Sequence, residues 1–382
     1  MTAILLYGST EYNAALRHEV PIVIPDEFVF VLAKGTTWLQ ASRLEADRIA
    51  ACRPDATLLD VGELGLKELV DSGRTSDEVG LELAVRAVAR TGVRRAIVNA
   101  EFPLALADRL RTAGVQLTVD EAVVTARRRR KTDAELAGIR RAQRAAEAAI
   151  ASAAGLLARC VPSGDGLRLD GEPLTAGHVR AAMRDAAWTH GAVLPSTVIV
   201  ASVWQGFGHE PGSGPLPARL PIQIDVWPRD EASGCWADMT RTFVVGGEPP
   251  AEVRHQETLV RGALEEAKAN VRPGVTGREL HAACCDRFEA RGYRTQRTGR
   301  GDDPDEGFQF SLGHGVGLRV HEAPGLGRTG GDPFVTGDVL AVEPGLWQRD
   351  VGGVRFEDLL LVTDDGCEVL TDFPYSLTPE GH

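Results

Sequence analysis

The sequence has no long apolar run. No stretch approaches the roughly 20 apolar residues that a bilayer-spanning helix needs, and the N-terminus, MTAILLYGSTEYNAALRHEV, lacks a basic segment followed by an apolar core. We therefore expect a cytoplasmic protein without a membrane partner. Positive charge is also scarce, since 54 acidic residues outnumber 42 basic ones and the net charge is −12. That balance disfavours nucleic acid as a partner and favours cations or small neutral substrates.

Cysteine is sparse and never occurs as a CxxC pair among the six positions. Neither a disulfide framework nor a zinc ribbon is therefore expected. We expect reduced, mostly structural thiols. Cys235 is the one of interest, because it lies three residues from Asp238.

The first third of the chain alternates strand-like and helical patterns. Short apolar runs occupy 27–34, 56–61, 95–100 and 115–119, and a helical pattern at 76–92 should be capped by Ser76 or Asp77. With 43% apolar residues and 382 residues in all, the chain can bury a large core divided between two domains. We predict a small α/β domain over 1–126. It contains no GxGxxG and no phosphate-binding loop, so its role should be structural or substrate-shaping.

The rest of the chain, 127–382, contains an internal repeat. The basic run RRRRK (127–131) is interpreted as a solvated linker rather than a nucleic-acid patch. Thr132 and Glu135 form a capping box for a helix that reaches about Cys160. Later, VPSG (161–164) and VRPG (271–274) each precede a helix and then strand-like segments. We expect two related halves with a site at their junction.

Four strand-like segments of this region carry acidic side chains. Asp225 and Asp238 lie in the two arms of a predicted β-hairpin within 222–246 and should face each other. Two carboxylates so close favour a bound cation. Glu343 ends one apolar strand and Glu357 lies inside another, where an unpaired charge is costly. The structural alternative is that each glutamate pairs with an arginine, with Arg355 the first candidate.

A histidine accompanies the carboxylates in SLGHGVGLRVHEAP (311–324). Gly313 and Gly315 leave no side chains beside His314, which lets the backbone bend and another group come close. A hydrogen-bonded core histidine is the alternative. Four carboxylates and one imidazole are hard ligands that suit Mn²⁺, Fe²⁺ or Co²⁺. Two such ions about 3.5–4 Å apart would activate a water molecule and polarise a carbonyl.

Together, the segments DMTRTFVVG, GHGVGLRVHE, VEPG and GGVRFED resemble the signature of the metal-dependent M24 peptidases, which include methionine aminopeptidases, aminopeptidase P and prolidase. The resemblance covers about 132–382, and TRTF and GGVRFED are closest to the Xaa-Pro aminopeptidase and prolidase branch. It implies an α+β chain. A pita-bread (creatinase/aminopeptidase) domain with a pseudo-two-fold repeat would occupy 127–382, after a smaller creatinase-type α/β domain.

The resemblance also implies a set of metal ligands: Asp225, Asp238, His314, Glu343 and Glu357. Asp225 would chelate one ion, while His314 and Glu343 bind the other. Asp238 and Glu357 would bridge the pair. The ions would be two divalent cations, Mn²⁺ in the first place, with Co²⁺, Zn²⁺ or Fe²⁺ as alternatives.

The same resemblance implies catalytic roles and an activity. Glu343 would also shuttle a proton, His209 and His321 would face the substrate, and Arg355 would support the bridging carboxylates. The implied enzyme is a metallopeptidase, an Xaa-Pro aminopeptidase or Xaa-Pro dipeptidase. It would use metal-activated water to remove the residue before proline, and it would be a homodimer. Two alternatives are an M24-like enzyme with a non-peptide or non-proline substrate and a catalytically inert pita-bread interaction protein.

Two features depart from the family pattern. The hairpin usually reads DxG with about eleven residues between its aspartates, whereas this chain has DVW and 238 − 225 = 13. An even insertion can preserve the face that each side chain occupies. By the two-residue period, Trp227 should share a face with Asp225, and Trp236 with Asp238. Two roles for these tryptophans are open: they could form ordinary cross-strand packing, or an indole could narrow the substrate pocket. The Gly/Asp-rich stretch 297–307 is predicted to be a surface or gating loop.

Overall fold

The computed structural model of the chain describes residues 2–202, 209–299 and 306–379. Two compact units are present, Met1–Arg128 and Arg129–His382. The domain boundary predicted from the sequence, between 126 and 127, stays a prediction. Every predicted site residue belongs to the second unit.

The first unit is built on a six-stranded sheet with strand order β4-β3-β2-β1-β5-β6. Side chains alternate along β1 and β2, so that Leu5 and Val31 pack in one apolar cluster and Leu6 and Phe30 in another. Both faces of the sheet are therefore covered. Its strands are β1 (Ala3–Gly8), β2 (Phe28–Ala33), β3 (Thr36–Ala41), β4 (Ala56–Asp60), β5 (Arg95–Val98) and β6 (Gln116–Val119). Its helices are α1 (Ala14–Glu19), α2 (Ala46–Cys52), α3 (Leu66–Asp71), α4 (Ser76–Thr91), α5 (Leu104–Thr112) and α6 (Glu121–Arg129).

The predicted elements of this unit are confirmed, with one error at a helix cap. The four apolar runs form β2, β4, β5 and β6, and the helical pattern forms α4. The cap of α4 is Thr75, and the choice of Ser76 or Asp77 was wrong. Thr75 Oγ1 accepts a hydrogen bond from the Glu78 N–H at 3.3 Å, and Glu78 Oε2 accepts one from the Thr75 N–H at 2.9 Å. This reciprocal box satisfies two N–H groups that a cap at either later position would leave unpaired.

The second unit repeats one pattern, a pair of helices followed by strands. A capping box begins three helices of this unit, at Thr132, Thr175 and Thr276, and the box at Thr132 confirms the prediction. The helices are α7 (Asp133–Ala158), α8 (Ala176–Thr189), α9 (Ala251–Asn270) and α10 (Gly277–Glu289). The strands of the first half are β7 (Val161–Ser163), β8 (Gly166–Leu169), β9 (Glu172–Pro173), β10 (Ala192–Val193), β11 (Ile199–Ser202), β12 (Pro221–Val226), β13 (Arg229–Asp230) and β14 (Met239–Val244). Those of the second half are β15 (Gly313–Gly315), β16 (Glu322–Leu326), β17 (Val339–Val342), β18 (Gly345–Gln348), β19 (Gly352–Arg355), β20 (Asp358–Val362) and β21 (Cys367–Val369).

Each half has its own sheet and its own apolar core. In the first half, 129–246, helices α7 and α8 pack on the sheet β11-β12-β14. In the second half, 247–379, helices α9 and α10 pack on the sheet β16-β15-β17-β20-β21 and on the pair β18-β19. The predicted α+β class and internal repeat are confirmed by this order. None of the helices in the described ranges is long and apolar enough to cross a bilayer.

The basic run 127–131 is not a solvated linker, so that interpretation was wrong. Within the first unit, Arg127 Nη2 donates to Glu19 Oε2 at 3.0 Å. Within the second, Arg129 Nε donates to Asp338 Oδ1 at 2.9 Å, and Lys131 pairs with Glu322. The acidic partners lie far away in the sequence, which is why the run looked isolated.

All six cysteines are free thiols. Cys235 is completely buried, and this burial raises the pKa of its thiol to about 12. A thiol that stays protonated at neutral pH is a poor nucleophile and a poor metal ligand. Cys235 therefore belongs to the apolar core.

Candidate metal centre

The first two carboxylates lie on neighbouring strands of the first half. Asp225 is the penultimate residue of β12, and Asp238 immediately precedes β14. The prediction that they face each other directly was wrong, because Asp225 pairs with Thr240. The connection between the strands forms β13, which pairs with β10 and bridges Trp236, so Asp238 lies beyond the regular ladder. Both aspartates are nevertheless buried, at 6% and 5% exposure, and line one cavity.

The other three predicted ligands come from the second half. His314 is the middle residue of β15 and pairs with Ala341 of β17. Glu343 directly follows β17, and its N–H donates to the Leu312 carbonyl at 2.8 Å. Glu357 lies between β19 and β20, where its N–H donates to the Thr240 carbonyl at 3.2 Å and its Oε2 accepts from Thr240 Oγ1 at 2.8 Å. A strand of the first half thus holds a carboxylate of the second.

The glycines beside His314 are explained by close backbone contacts. A β-carbon on Gly313 would lie 1.9 Å from the Ala341 carbonyl oxygen, and one on Gly315 would lie 2.4 Å from that of Ala323. Only glycine permits the neighbouring strands to approach this closely. The groups that come close to these glycines are thus the backbone of β17 and of β16.

One cavity of about 240 Å³ unites the predicted site. All nine residues selected from the sequence line it: His209, Asp225, Trp227, Asp238, His314, His321, Glu343, Arg355 and Glu357. Thr197 and Val320 also line it and were missed, because a single threonine or valine carries no signal of a site. Trp236 is not among the described lining residues. It packs against a separate apolar cluster, and its ring centroid lies 5.9 Å from the Arg229 guanidinium carbon. These contacts are those of ordinary cross-strand packing.

A compact triad lies within the cavity. Asp238, His314 and Glu357 each offer one ligand atom, and these atoms lie within 4.8 Å of one another. His314 Nε2 is 3.6 Å from Asp238 Oδ2 and 3.7 Å from Glu343 Oε1. His314 Nδ1 lies 3.1 Å from the Gly315 carbonyl oxygen. With Nδ1–H donating to this carbonyl, the Nε2 lone pair points toward the carboxylates, the orientation typical of a metal-binding histidine.

Arg355 holds the two remaining carboxylates. Its Nη1 lies 3.2 Å from Asp225 Oδ2 and 3.4 Å from Glu343 Oε2. Arg355 is 3% exposed, and its guanidinium carbon lies over the rings of both Phe310 and Trp347, 5.0 and 5.1 Å from their centroids. These described contacts are with Asp225 and Glu343, whereas the resemblance implied support of Asp238 and Glu357. The alternative of a glutamate paired with arginine thus applies to Glu343.

The electrostatics of the cavity favour a bound cation. Burial, with repulsion from Glu343, raises the pKa of Asp225 to about 6 despite the nearby arginine. Burial and the neighbouring carboxylates also raise the pKa values of Asp238 and Glu357. Asp238 Oδ1 is buried and has no hydrogen-bond partner among the described residues. A divalent ion would satisfy this oxygen and offset the repulsion, so the residues fit a metal centre.

The two further histidines lie at the same cavity. Burial lowers the pKa of His314 to about 4, so its imidazole is neutral at pH 7. The His321 ring packs edge-on against it, with centroids 4.2 Å apart, and desolvation and the nearby His314 lower the pKa of His321. His209 is exposed and lines the cavity, next to residues 203–208, which lie outside the described ranges. Most of the predicted loop 297–307 also lies outside them.

Comparison with known proteins identifies the family. The model of metallopeptidase family M24 matches residues 137–364, and the chain belongs to this family, as predicted. It is 36% identical over 144 residues to an uncharacterized peptidase, YqhT, of Bacillus subtilis, covering 38% of this chain and 37% of that one. It is 36% identical over 135 residues to an Xaa-Pro dipeptidase of Pyrococcus horikoshii, covering 35% of each. The matches span little more than a third of these relatives.

Solved structures extend the fold to the whole chain. The prolidase from Pyrococcus horikoshii OT3 has a TM-score of 0.74 at 20% identity and covers 99% of this chain and 95% of its own. An Xaa-Pro dipeptidase from Bacillus anthracis has a TM-score of 0.76 at 21% identity and covers 98% and 94%. The predicted pita-bread fold with a smaller N-terminal domain is confirmed by this similarity.

Proposed function

We propose that the chain is a metal-dependent peptidase that removes the N-terminal residue from peptides with proline in the second position. The observation that carries the proposal is the convergence of Asp225, Asp238, His314, Glu343 and Glu357 on one cavity, with a buried Asp238 oxygen that has no hydrogen-bond partner in the described part of the chain. Membership of family M24 supports it, and the names of similar proteins suggest the Xaa-Pro substrate.

The proposed centre holds two divalent ions. Asp225 would bind one ion and His314 with Glu343 the other, while Asp238 and Glu357 bridge them. Hard oxygen ligands with one imidazole suit Mn²⁺, which we propose first, and also Co²⁺, Fe²⁺ or Zn²⁺. When bound, the ions would polarise the scissile carbonyl and lower the pKa of a water molecule.

The side chains of the protein supply the remaining chemistry. Glu343 would accept a proton at a carboxylate oxygen and pass it to the leaving nitrogen. His321 is neutral at pH 7, because its pKa is lowered, and it would donate its ring N–H to the substrate carbonyl oxygen. Arg355 would hold Glu343 in place through the contact of its Nη1 with Glu343 Oε2.

A peptide panel tests the proposal. Metal is first removed from the protein with a chelator, and Mn²⁺, Co²⁺ or Zn²⁺ is then added. The substrates are Ala-Pro, Leu-Pro and Ala-Pro-Ala, with Ala-Ala as the matched control, and the released free amino acid is measured. We expect release only with an added ion and only with proline second. Equal cleavage of Ala-Ala would contradict the substrate class and favour a non-proline substrate. Failure to bind any of the three ions would contradict the metal centre and favour an inert interaction protein.

We propose that Trp227 forms part of the wall of the substrate pocket. It is half-buried, and with Val320 it forms the apolar part of the described cavity lining. The Trp227→Ala variant should raise KM for Ala-Pro about tenfold through lost apolar contact. It should also raise kcat/KM for Phe-Pro relative to Ala-Pro, because the pocket becomes wider. Trp236→Ala is the matched control and should change neither value. Unaltered selectivity in Trp227→Ala would remove Trp227 from the pocket.

The proposed homodimer is tested separately. Sedimentation equilibrium of the full chain, whose mass is 40.9 kDa, should give twice that mass. A single-chain mass at micromolar concentration would contradict the proposal.

A further inference from the structure

A buried ion pair lies beside the candidate metal centre. Lys131 Nζ pairs with Glu322 Oε1, and each side chain is only 2% exposed. Lys131 directly precedes the capping box of α7, in which the Thr132 N–H donates to Glu135 Oε2 at 2.7 Å. The backbone next to Lys131 is therefore fixed by the helix start. Among the interactions described above for the metal centre, none involves either partner.

Glu322 links this pair to His321. It is the first residue of β16 and directly follows His321 in the chain. Glu322 of β16 pairs with Gly315 of β15, and the register of this strand pair shifts between His314 and Gly315. The extra residues of this bulge are Ala323 and Pro324 of β16, directly after Glu322. Residues 316–321 connect β15 to β16, and the chain re-enters the ladder at Glu322, the residue that directly follows His321.

Gly317 makes room for the pair. A β-carbon at this position would lie 2.5 Å from Glu322 Oε1 and 2.8 Å from Lys131 Cε. The Gly317 carbonyl accepts a hydrogen bond from the Trp236 N–H at 2.8 Å, so the glycine itself is held. A larger residue would have to displace the ion pair. This accounts for the third glycine of the stretch SLGHGVG.

We propose that Lys131 is a positioning residue, which acts through Glu322 to hold His321 against the cavity. This inference rests on the proposed function, in which His321 contacts the substrate carbonyl. Without Lys131, the buried Glu322 carboxylate would lose the ammonium group with which it pairs, and it would move toward water. His321, one residue away, would move with it. A displacement of about 1 Å in a positioned group can cost about a hundredfold in rate.

Kinetics of two variants distinguish positioning from general stability. The Lys131→Met variant keeps the length of the side chain without its charge, and kcat should fall at least about tenfold. Its affinity for Mn²⁺, measured by calorimetry, should be unchanged. Arg129→Met is the matched control, because it removes the ion pair with Asp338 from the same segment without touching β16. It should leave kcat within about twofold. Lys131→Arg should restore most of the activity.

Metal-free protein gives a second measurement that needs no catalysis. The ¹H–¹⁵N resonances of the His321 ring, assigned with His321→Gln, should shift in Lys131→Met. They should also shift in Gly317→Ala, which keeps both charges and serves if Lys131→Met does not fold. Gly325→Ala is the control, because a β-carbon there meets nothing within 4 Å.

The outcomes separate the two proposals. An unshifted His321 resonance in folded Lys131→Met or Gly317→Ala would overturn the positioning role, even if the wild type cleaves Ala-Pro. Equal losses of kcat in Lys131→Met and Arg129→Met would overturn it as well. A wild type that cleaves no peptide would instead refute the proposed function, and the resonances would still decide whether Lys131 holds His321.

Discussion

The Asp238→Asn variant is expected to lose divalent-ion binding and about 10³-fold or more of kcat/KM. Asparagine keeps the shape of the side chain but removes a negative charge shared between the two proposed ions. Loss of a group that only supports a ligand already costs about 10–100-fold in metal affinity, so loss of a ligand should cost more. Bound ions supply several kcal/mol of transition-state stabilisation. Calorimetry with Mn²⁺ and steady-state hydrolysis of Ala-Pro measure both effects.

The same variant should make the metal-free protein more stable. Asp238 is 5% exposed and repelled by Glu357 and Asp225, so its charge opposes folding when no cation is bound. Its removal should raise the free energy of unfolding in EDTA by on the order of 1 kcal/mol. The matched control is Asp230→Asn, since Asp230 is 2% exposed but bonded to Arg141 and Ser233, and its loss should destabilise. Full activity or unchanged ion stoichiometry in Asp238→Asn would refute the proposed centre.

The Arg355→Met variant should have the largest effect on the stability of the metal-free protein. Arg355 is 3% exposed, and its loss leaves the carboxylates of Asp225 and Glu343 without their nearest positive charge. Breaking a buried pair by removing one partner costs about 3–5 kcal/mol. Urea unfolding in EDTA measures the loss. Added Mn²⁺ should reduce it, because a bound cation supplies positive charge to the same carboxylates.

An exposed pair in the same unit provides the control. The Arg140 guanidinium donates hydrogen bonds to both carboxylate oxygens of Glu368, but the two side chains are 39% and 46% exposed. Arg140→Met should therefore cost no more than about 1 kcal/mol. Equal destabilisation by the two substitutions would show that Arg355 does not compensate buried charge.

Local features could be read from the sequence because their causes are local. The capping box at Thr132 depends on two residues three positions apart and was predicted correctly. The same rule would have found Thr75, since Glu78 follows it at the same spacing. β1 was missed, because the apolar run near the N-terminus was considered only as a targeting segment.

The membership of the site could be predicted, but its internal geometry could not. Four ordered motifs carry the proposed ligands, and all of the selected residues line one cavity. The pairing of Asp225 with Thr240 depends on how the connection folds into β13, which a residue count does not reveal. The Lys131–Glu322 pair joins positions 191 apart, and only the folded chain brings them together.

The hydrogen bond from Thr240 to Glu357 belongs to a wider arrangement, in which each half of the second unit carries proposed ligands that the other half lacks. Asp225 and Asp238 come from 129–246, and the remaining three come from 247–379. A divalent ion bound at the proposed centre would therefore link two halves that each have their own apolar core. If the backbone were cut in the connection 247–250, ion uptake would report the reassembly of the fragments, since neither fragment alone contains a complete coordination sphere.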